Sequence, residues 1–576
     1  MIALILLIPL LVALPIIALM RESKRIAYTA IAASIVSLAL LPFVNLGTFS
    51  IDWFNVGGFE FSLVSSVSEL NIVLLILVFL LAPFIYTYSL GYIKNRSEFK
   101  RYYIEMVAFT AAMASFAIAG NFILLFLAWE FLSITSYLLI GFWYRKRNAA
   151  LAARKAVTIV FIGDISLLAS IALFWNVYGT LTFSSINAAG GIASSAAVLL
   201  LIIAIFTKSA QFPFNEWLPD AMEGPVPVSA YLHSATMVKA GVFAAMVLFP
   251  IFAHTHTLIY FLTIGMLTAV IATTNAMREK HVKRVLAYST VQELALMLSA
   301  IGVGALGAAL YFFFAQAFYK ALLFFSSGVM MDANENENID SIYGLKKNKL
   351  VFLSTIFGVL ALAGFIPFDG FFSNVMISSS FSTNLFAYII ISLISIATSF
   401  FIFRWFFAVS KDTKNRNITA SYRIQPRSML ISIASLAVIL LIASIVFFYF
   451  GKFGYRLSLN LDEALIETVL VFIGFGISYA VYEKRKFSIK SNFLDKIAYN
   501  SVATNIFYNW FAEFIYKISE GIGIFDLYIN DLFDWIGHIA VRLGDITRNL
   551  ANGDISFYAL IIVVSIIAIG ALVLFV

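Results

Sequence analysis

Apolar runs of about 20 residues recur along the chain from Met1 to Val576, and they constrain its fold more than any other feature. Inside a bilayer, only an α-helix or a closed barrel can pair every backbone N–H and C=O group. Runs of this length fit helical spans and are about twice as long as a barrel strand. The chain is 62% hydrophobic and only 12% charged, which leaves too few charged residues for a water-facing surface. We therefore predict an all-α polytopic membrane protein with about sixteen transmembrane helices.

The charges of the loops support this division into spans. Candidate spans start near Met1, Ile26, Ser68, Tyr102, Asn121, Ala156, Ser195, Val228, Leu258, Val285, Leu306, Leu350, Leu385, Met429, Leu461 and Phe557. Basic residues gather in loops 21–25, 94–101, 145–155, 278–284 and 411–427. Each of these loops follows an odd-numbered span. Loop 332–349, after the eleventh span, is the exception, because it is slightly acidic. Because cytoplasmic loops carry the excess of Lys and Arg, this alternation predicts that both termini lie outside.

Charge and cysteine content exclude several classes of function. The net charge is +7, but the basic residues flank apolar runs, where they set topology, so nucleic-acid binding is not expected. The chain has no cysteine, which excludes disulfides, thiolate catalysis, iron–sulfur clusters and cysteine zinc sites. It also has no phosphate-binding glycine loop in a strand–turn–helix context, no HExxH and no nucleophile constellation. We expect no cofactor or metal in this chain, so any redox chemistry must take place in a partner.

The segment 208–241 is the most informative stretch. Lys208 ends the apolar run VLLLIIAIFT, and Pro213 and Pro219 follow within a few residues. Proline removes a helix hydrogen bond, and a broken helix at membrane depth is tolerated where it lines a cavity or is buried in protein. Such breaks often mark ion sites. The alternative is a kinked packing helix whose lysine extends to the headgroups.

Other spans also contain ionisable residues. These are Glu130, Asp164, His233, Lys239, Glu293, Lys320 and Arg404. A charge at this depth costs several kcal/mol unless it is paired, and a carboxylate–lysine pair that opens and closes can exchange a proton. Structural ion pairs between helices are the alternative, and a lone histidine is more often a packing group. The recurrence of such groups over successive spans favours proton transfer.

Residues 484–552 are more polar and contain no apolar span. Polar residues recur at steps of three and four in Asp531, Asp534, His538, Arg542 and Asp545, and apolar residues occupy the opposite face. The pattern predicts a lateral amphipathic helix. It suits equally a helix at the lipid headgroups and a strut that grips a neighbouring subunit.

Several motifs resemble the antiporter-like subunits of respiratory complex I and of Mrp-type cation/proton antiporters. They are segment 208–241, Trp129-Glu130, KRVLAYST at 283–290, FYKALLF at 318–324 and GFIPFDGFFSN at 364–374. The C-terminal spans, separated by the amphipathic segment that ends in NGDISFY, resemble subunit L in particular. The resemblance implies two inverted five-helix repeats, 102–252 and 257–409, each with a broken helix. The breaks would fall at Pro213 and Pro219 in the first repeat and near Pro367 and Gly370 in the second. N-terminal spans at 1–101, additional spans at 428–482, a lateral helix at 484–552 and an anchoring span at 556–576 would complete the chain.

The resemblance also implies roles for the ionisable residues. Glu130 and Lys208 would form the switching pair of the first half-channel with Asp164 nearby, His233 and Lys239 would pass the proton inward, and Lys320 would be the central lysine of the second half. Two positions depart from the family. Gln316 replaces an expected histidine, and Asn374-Val375 replaces an expected Lys-Asp pair. Our hypothesis is that Glu293, which is unusual for its motif, supplies a buried carboxylate in their place.

The main functional hypothesis is a proton-translocating subunit of a complex-I-like quinone oxidoreductase in a prokaryotic plasma membrane. Its partners would be other membrane subunits, including paralogous antiporter-like ones, and quinone, flavin or iron–sulfur clusters would reside in partner subunits only. The alternatives are an Mrp-type Na⁺/H⁺ antiporter subunit, the ion-pumping arm of a membrane-bound hydrogenase, and a passive scaffold whose channel has decayed. The neighbouring genes would distinguish the main hypothesis from an Mrp-type antiporter, because quinone-reductase subunits favour the first and a run of small antiporter subunits favours the second. The ion itself, H⁺ or Na⁺, stays open at this point.

Overall fold

The computed structural model describes residues 2–56, 59–188, 195–411, 425–446 and 460–484, together with Glu513, Lys517 and Arg542. The chain divides into two compact units, Met1–Ala498 and Tyr499–Val576. Almost all of the described residues belong to the first unit. The predicted anchoring span 556–576 lies outside the described residues, and so does the predicted lateral helix 484–552 except for Lys484 and the three single positions.

Helices make up nearly all of the first unit. Up to the first broken span they are α1 Ile2–Ile5, α2 Ile8–Leu19, α3 Lys24–Leu40, α4 Glu69–Tyr92, α5 Phe99–Ala117, α6 Phe122–Ile140, α7 Arg147–Tyr178, α8 Phe183–Ala188 and α9 Ser195–Lys208. The middle of the chain forms α10 Trp217–Asp220, α11 Val226–Ser234, α12 Met237–Val247, α13 Phe249–His254, α14 Leu258–Ala276, α15 Val282–Gly302 and α16 Leu306–Asn334. The remaining helices are α17 Lys349–Ala363, α18 Asp369–Ser380, α19 Leu385–Val409, α20 Arg427–Val446 and α21 Leu461–Ser478.

The helices confirm the prediction of a polytopic α-helical membrane protein. Eleven helical segments in the described part of the chain, with α11 and α12 counted as one, are long and apolar enough to cross a membrane. Three shorter apolar helices, α2, α9 and α17, occupy the places of further predicted spans. Every predicted span up to the one near Leu461 has a helix at its position.

An antiparallel hairpin between α3 and α4 was missed by the sequence analysis. Strands β1 Gly47–Val56 and β2 Phe59–Val67 pair with Gly47 opposite Val67, and the register shifts between Asp52 and Phe54. Two short apolar-aromatic runs separated by Gly57-Gly58 are a hairpin signal that could have been recognised in the sequence. The backbone of β2 also bonds to the loop after α5, where Gly120 N–H donates to the Val64 carbonyl (2.8 Å).

Both predicted helix breaks are present. The helix α9 ends at Lys208, and Ala210 adopts a left-handed φ of 50°, so the chain leaves the helix two residues after the lysine. The helix α17 ends at Ala363, where Gly364 (φ 82°) caps it and α18 starts at Asp369. The division of the spans into two inverted five-helix repeats stays a prediction.

A third break, within the span predicted from Val228, was not foreseen. The helices α11 and α12 are separated by Ala235 and Thr236. The Thr236 hydroxyl donates to the Tyr231 carbonyl (2.7 Å), a hydrogen bond by which a side chain competes with the helical backbone. This break lies between His233 and Lys239.

The helices differ in how deeply they are buried. The most apolar 18 residues of α16 are all buried, and about nine-tenths of the most apolar 18 residues of α11–α12 and of α15 are buried. By contrast, only 28% of the most apolar 18 residues in the span Leu461–Glu483, which begins with α21, are buried. The helices α15 and α16 pack against each other, α11 packs on α16, and α7 packs on α9. The interior of the first unit is therefore formed by the helices that carry His233, Lys239, Glu293 and Lys320.

Candidate functional site

A buried lysine and a buried carboxylate meet where α6, α7 and α9 pack together. Lys208 is completely buried and Asp164 is 4% exposed, and Lys208 Nζ lies 3.9 Å from Asp164 Oδ1. Between them lies Ser133, whose hydroxyl accepts from Lys208 Nζ (2.6 Å) and donates to Asp164 Oδ2 (3.0 Å). Trp129 Nε1 donates to Asp164 Oδ1 (2.7 Å), and the Trp129 ring lies under the ammonium group (4.7 Å). The arrangement can pass a proton between amine and carboxylate through one hydroxyl.

Glu130 lies near the Lys208–Asp164 pair without contacting Lys208 directly. Its side chain is half-buried, and within the described residues it forms neither an ion pair nor a hydrogen bond. It remains within electrostatic range of Lys208 and Asp164. In this conformation Lys208 is therefore paired with Asp164, and Glu130 lies at the edge of the pair.

A small glycine allows α7 and α9 to approach closely at this site. Gly163 precedes Asp164, and Thr207 precedes Lys208. A Cβ atom at Gly163 would overlap the Thr207 hydroxyl and come within 3.3 Å of the Ala204 backbone. The close approach brings the carboxylate and the amine to one level.

His233 and Lys239 flank the break between α11 and α12, and both are buried. Lys239 Nζ donates to the Phe313 carbonyl and lies 4.6 Å from the centre of the Phe313 ring. The His233 ring packs 5.2 Å from Phe324, and its Nδ1 has no hydrogen-bond partner in the described part of the chain. Lys239 lies within electrostatic range of Glu293, so the break is close to the second half of the predicted proton path.

A second lysine–carboxylate pair joins α15 and α16. Lys320 Nζ lies 3.0 Å from Glu293 Oε2, and both residues are buried. Lys320 also donates to the Ser289 hydroxyl, and Tyr319 donates to Glu293 Oε1 (3.2 Å). Glu293 is therefore the carboxylate that pairs with Lys320 in this structure, and its role in proton transfer stays a prediction. The serine one turn before the glutamate gives the second pair a hydroxyl contact like that of Ser133 in the first.

Gln316 and Asn374, the two residues that depart from the family pattern, both make polar contacts with buried residues. The Gln316 amide donates to the His233 carbonyl (3.2 Å), so it ties the helix break to α16. Asn374 lies within hydrogen-bonding reach of Glu467, a buried carboxylate on α21.

The sequence analysis did not single out several buried carboxylates, of which Asp369 and Glu467 are the most deeply buried. Asp369 is completely buried at the start of α18, and its Oδ2 accepts no hydrogen bond from the described residues. Glu467 is 1% exposed, although α21 is otherwise largely exposed. Both lie inside segments that are apolar enough to pass as packing helices. The acidic residue in each apolar run was the available signal. Within the described residues, no group of three or more His, Asp or Glu side chains could hold a metal ion.

Two family profiles match the chain over more than half of its length together. Residues 119–401 match the NADH:quinone oxidoreductase/Mrp antiporter transmembrane family, and residues 53–103 match the N-terminal part of NADH-ubiquinone oxidoreductase (complex I) chain 5. The first match contains every ionisable residue that the sequence analysis assigned to the proton path.

Individual relatives come from both branches of this family. NADH-quinone oxidoreductase subunit L from Buchnera aphidicola is 29% identical over 81% of this chain and 78% of its own length. An Na⁺/H⁺ antiporter subunit from Alkalihalophilus pseudofirmus is 30% identical over 70% of this chain and 54% of its own. NAD(P)H-quinone oxidoreductase chain 5 from Synechocystis is 33% identical over 62% of this chain, and the chain spans 56% of that relative's length.

A solved structure shares the fold. The Mrp complex from Dietzia sp. DQ12-45-1b contains a chain that superposes with a TM-score of 0.75 at 23% identity, covering 99% of this chain and 63% of the other. Together with the profile matches and the buried lysines, these similarities show that the chain belongs to the family of antiporter-like membrane subunits shared by NADH:quinone oxidoreductases and Mrp antiporters.

Proposed function

We propose that this chain is a proton-translocating membrane subunit of a complex-I-like quinone oxidoreductase. The observation that carries the proposal is the presence of two buried lysine–carboxylate pairs, Lys208–Asp164 and Lys320–Glu293. In chain order, the first pair precedes the break between α11 and α12 and the second follows it. A buried charge pair is a costly way to stabilise a protein, because desolvation offsets most of the attraction between the charges. Two such pairs in series therefore favour a role in transport over one in packing.

In the proposed mechanism a proton moves along the buried groups as each pair opens and closes. When Lys208 and Asp164 separate, the lysine can release its proton toward His233 and Lys239, and the pair can recover a proton from the side of Glu130. The same exchange at Lys320 and Glu293 would pass the proton onward. Redox chemistry in partner subunits would drive the cycle, and cofactors would reside there. The plasma-membrane location, the outside termini and the division of the chain into six segments are parts of this proposal.

Replacement of Lys208 tests the proposal. We expect Lys208→Ala to abolish or severely reduce proton uptake by inverted vesicles that contain the whole assembly, while the protein still assembles with its partners. Lys155→Ala is the matched control, because Lys155 is exposed and pairs with Asp220 at the surface. Normal uptake in Lys208→Ala would refute the mechanism.

Replacement of Glu293 tests the second half. Glu293→Gln keeps the size of the side chain but removes the charge opposite Lys320, so we expect uptake to fall. Undiminished uptake in this variant would reject the hypothesis that Glu293 substitutes for the missing family residues.

A second candidate function is supported by the similarity to the Na⁺/H⁺ antiporter protein of Alkalihalophilus pseudofirmus. Under that alternative, vesicles with the whole assembly would exchange sodium for protons without any electron donor. Sodium flux driven by an imposed pH gradient, measured with and without donor and quinone, distinguishes the two functions. Sodium-independent uptake that requires the donor supports the main proposal.

A further inference from the structure

The helix α21 directs two carboxylates into the protein and not toward lipid. Glu463 and Glu467 are 8% and 1% exposed, whereas neighbouring side chains such as Leu465 are largely exposed. The two residues lie one turn apart, so they share a face of the helix. Among the described residues neither forms an ion pair. Glu467 is the deeper of the two, and a buried carboxylate without a cationic partner is costly, so a structural role alone explains it poorly.

Neutral polar groups surround Glu467. The Ser378 hydroxyl donates to its Oε2 (3.4 Å), and Asn374 and Ser395 lie within reach of the same carboxylate. Its Oε1 accepts no hydrogen bond from the described residues. Asn374 is the position at which the family resemblance led us to expect an ionisable residue. A carboxylate on α21 thus lies beside the position on α18 that lacks the expected ionisable residue.

A hydrogen bond between buried side chains joins α15, which carries Glu293, to α19, which contacts Glu467. Gln292 precedes Glu293 on α15, and its amide donates to the Thr398 hydroxyl on α19 (2.7 Å). Thr398 lies one turn from Ser395, which reaches Glu467. Gln292 and Thr398 are both buried. The helix α19 contacts both α15 and α21, and its buried polar side chains meet Gln292 on the first and Glu467 on the second.

Polar side chains also extend from Glu467 toward the nearer end of α21. Tyr388 donates to Glu463 Oε2 (2.7 Å). Tyr388 lies in the first turn of α19 and Glu463 in the first turn of α21, so both are near the start of a span. Glu467 lies one turn, about 6 Å, deeper. The loop charges predict that this end faces the outside.

We infer that Glu467 is a proton-carrying residue of an outlet in the second half, with Glu463 and Tyr388 at its mouth and Gln292, Thr398 and Ser395 linking it to Lys320 and Glu293. The inference rests on the proposed function. It assigns to α21 the ionisable group that α18 lacks at Asn374, and it gives the proton a route to the surface.

The test compares isosteric variants of α21 in the whole assembly. Glu467→Gln keeps the size and hydrogen-bonding capacity of the side chain, so a loss of transport reports on the lost proton site and not on packing. We expect proton uptake per donor oxidised to fall to the level of Lys320→Ala. Asp462→Asn, an exposed acid on the same helix, should leave uptake unchanged. The double variant Glu467→Gln/Asn374→Asp exchanges the amide and the carboxylate between the two contacting positions. It should restore uptake, because a proton-carrying group is again present at this contact.

The outcomes separate this inference from the proposed function. Uptake by Glu467→Gln equal to that of Asp462→Asn, with Lys320→Ala defective, overturns the outlet and leaves the proposed function intact. Normal uptake in both Lys320→Ala and Lys208→Ala overturns the proposed function itself. If Glu467→Gln does not assemble, Thr398→Val and Tyr388→Phe replace it. Both should lower uptake, and normal uptake in both overturns the outlet.

Discussion

Asp164→Asn is expected to stop proton transfer in the first half without disturbing the packing around it. The asparagine has the same shape, and its oxygen can still accept from Trp129 Nε1, which lies 2.7 Å from Asp164 Oδ1. What it removes is the negative charge 3.9 Å from Lys208 Nζ. Because both residues are buried, loss of one partner costs about 3–5 kcal/mol as long as the lysine stays charged. At about 1.4 kcal/mol for each factor of ten, the charged lysine becomes less favourable by about a hundredfold or more.

The assay is proton uptake by inverted vesicles, read with a pH-sensitive dye while donor oxidation is followed in parallel. We expect uptake to fall severely in Asp164→Asn. Asp220→Asn makes the same substitution in partly exposed ion pairs: Asp220 lies 2.7 Å from Lys155 and 3.7 Å from Arg284, and these side chains are 31%, 41% and 33% exposed. Such pairs contribute about 0–1 kcal/mol, so this control should behave like the unmodified protein. The reasoning is refuted if Asp164→Asn assembles normally and takes up protons as fast as Asp220→Asn.

Two further predictions concern packing and pH. Gly163→Ala should destabilise the detergent-solubilised protein by about 1–3 kcal/mol, because its Cβ would overlap the Thr207 hydroxyl. Gly476→Ala should not lower the melting temperature, because its Cβ meets no atom within 4 Å and alanine is the better helix former inside α21. At the surface, the hydrogen bond from His281 lowers the pKa of Glu337 to about 2. A lowered carboxyl pKa stabilises the fold above its unfolded value of about 4.3, and this contribution is lost as the pH falls toward 2. Acid titration of Glu337→Gln should therefore show a smaller loss of stability between about pH 4.5 and 2 than the unmodified protein shows, and an equal loss would contradict the assignment.

The positions of the membrane spans could be predicted from local sequence alone. A run of apolar residues must be helical in lipid wherever it occurs, because no other conformation satisfies its backbone there. The helices α4, α14 and α19, which start at Glu69, Leu258 and Leu385, therefore begin close to where the apolar runs begin. Prolines and a glycine likewise marked the breaks after Lys208 and Ala363. The hairpin 47–67 was missed because its two runs are shorter than a span and contain polar residues.

The break between α11 and α12 shows where local reasoning ends. No proline or glycine lies at Ala235 or Thr236, and the helix pattern runs through both residues. Packing around Tyr231, whose hydroxyl donates to the Val78 carbonyl of α4 (3.1 Å), fixes the first half of the element. The hydroxyl of Thr236 also competes locally with the helical backbone, but a threonine alone does not predict a break, so the break could not be predicted from this segment.

The sequence by itself determined that this chain is a multi-span helical membrane protein and that Glu130, Asp164, Lys208, Glu293 and Lys320 lie within its apolar segments. Hydropathy and charge are properties of each segment alone, so they could be read without the fold. The tertiary structure decided which groups meet. It paired Lys208 with Asp164 and left Glu130 at the edge, and it placed Glu467 of α21 beside Asn374 of α18. These pairings depend on the rotation and relative height of helices that are distant in sequence, and packing between side chains of different helices sets both.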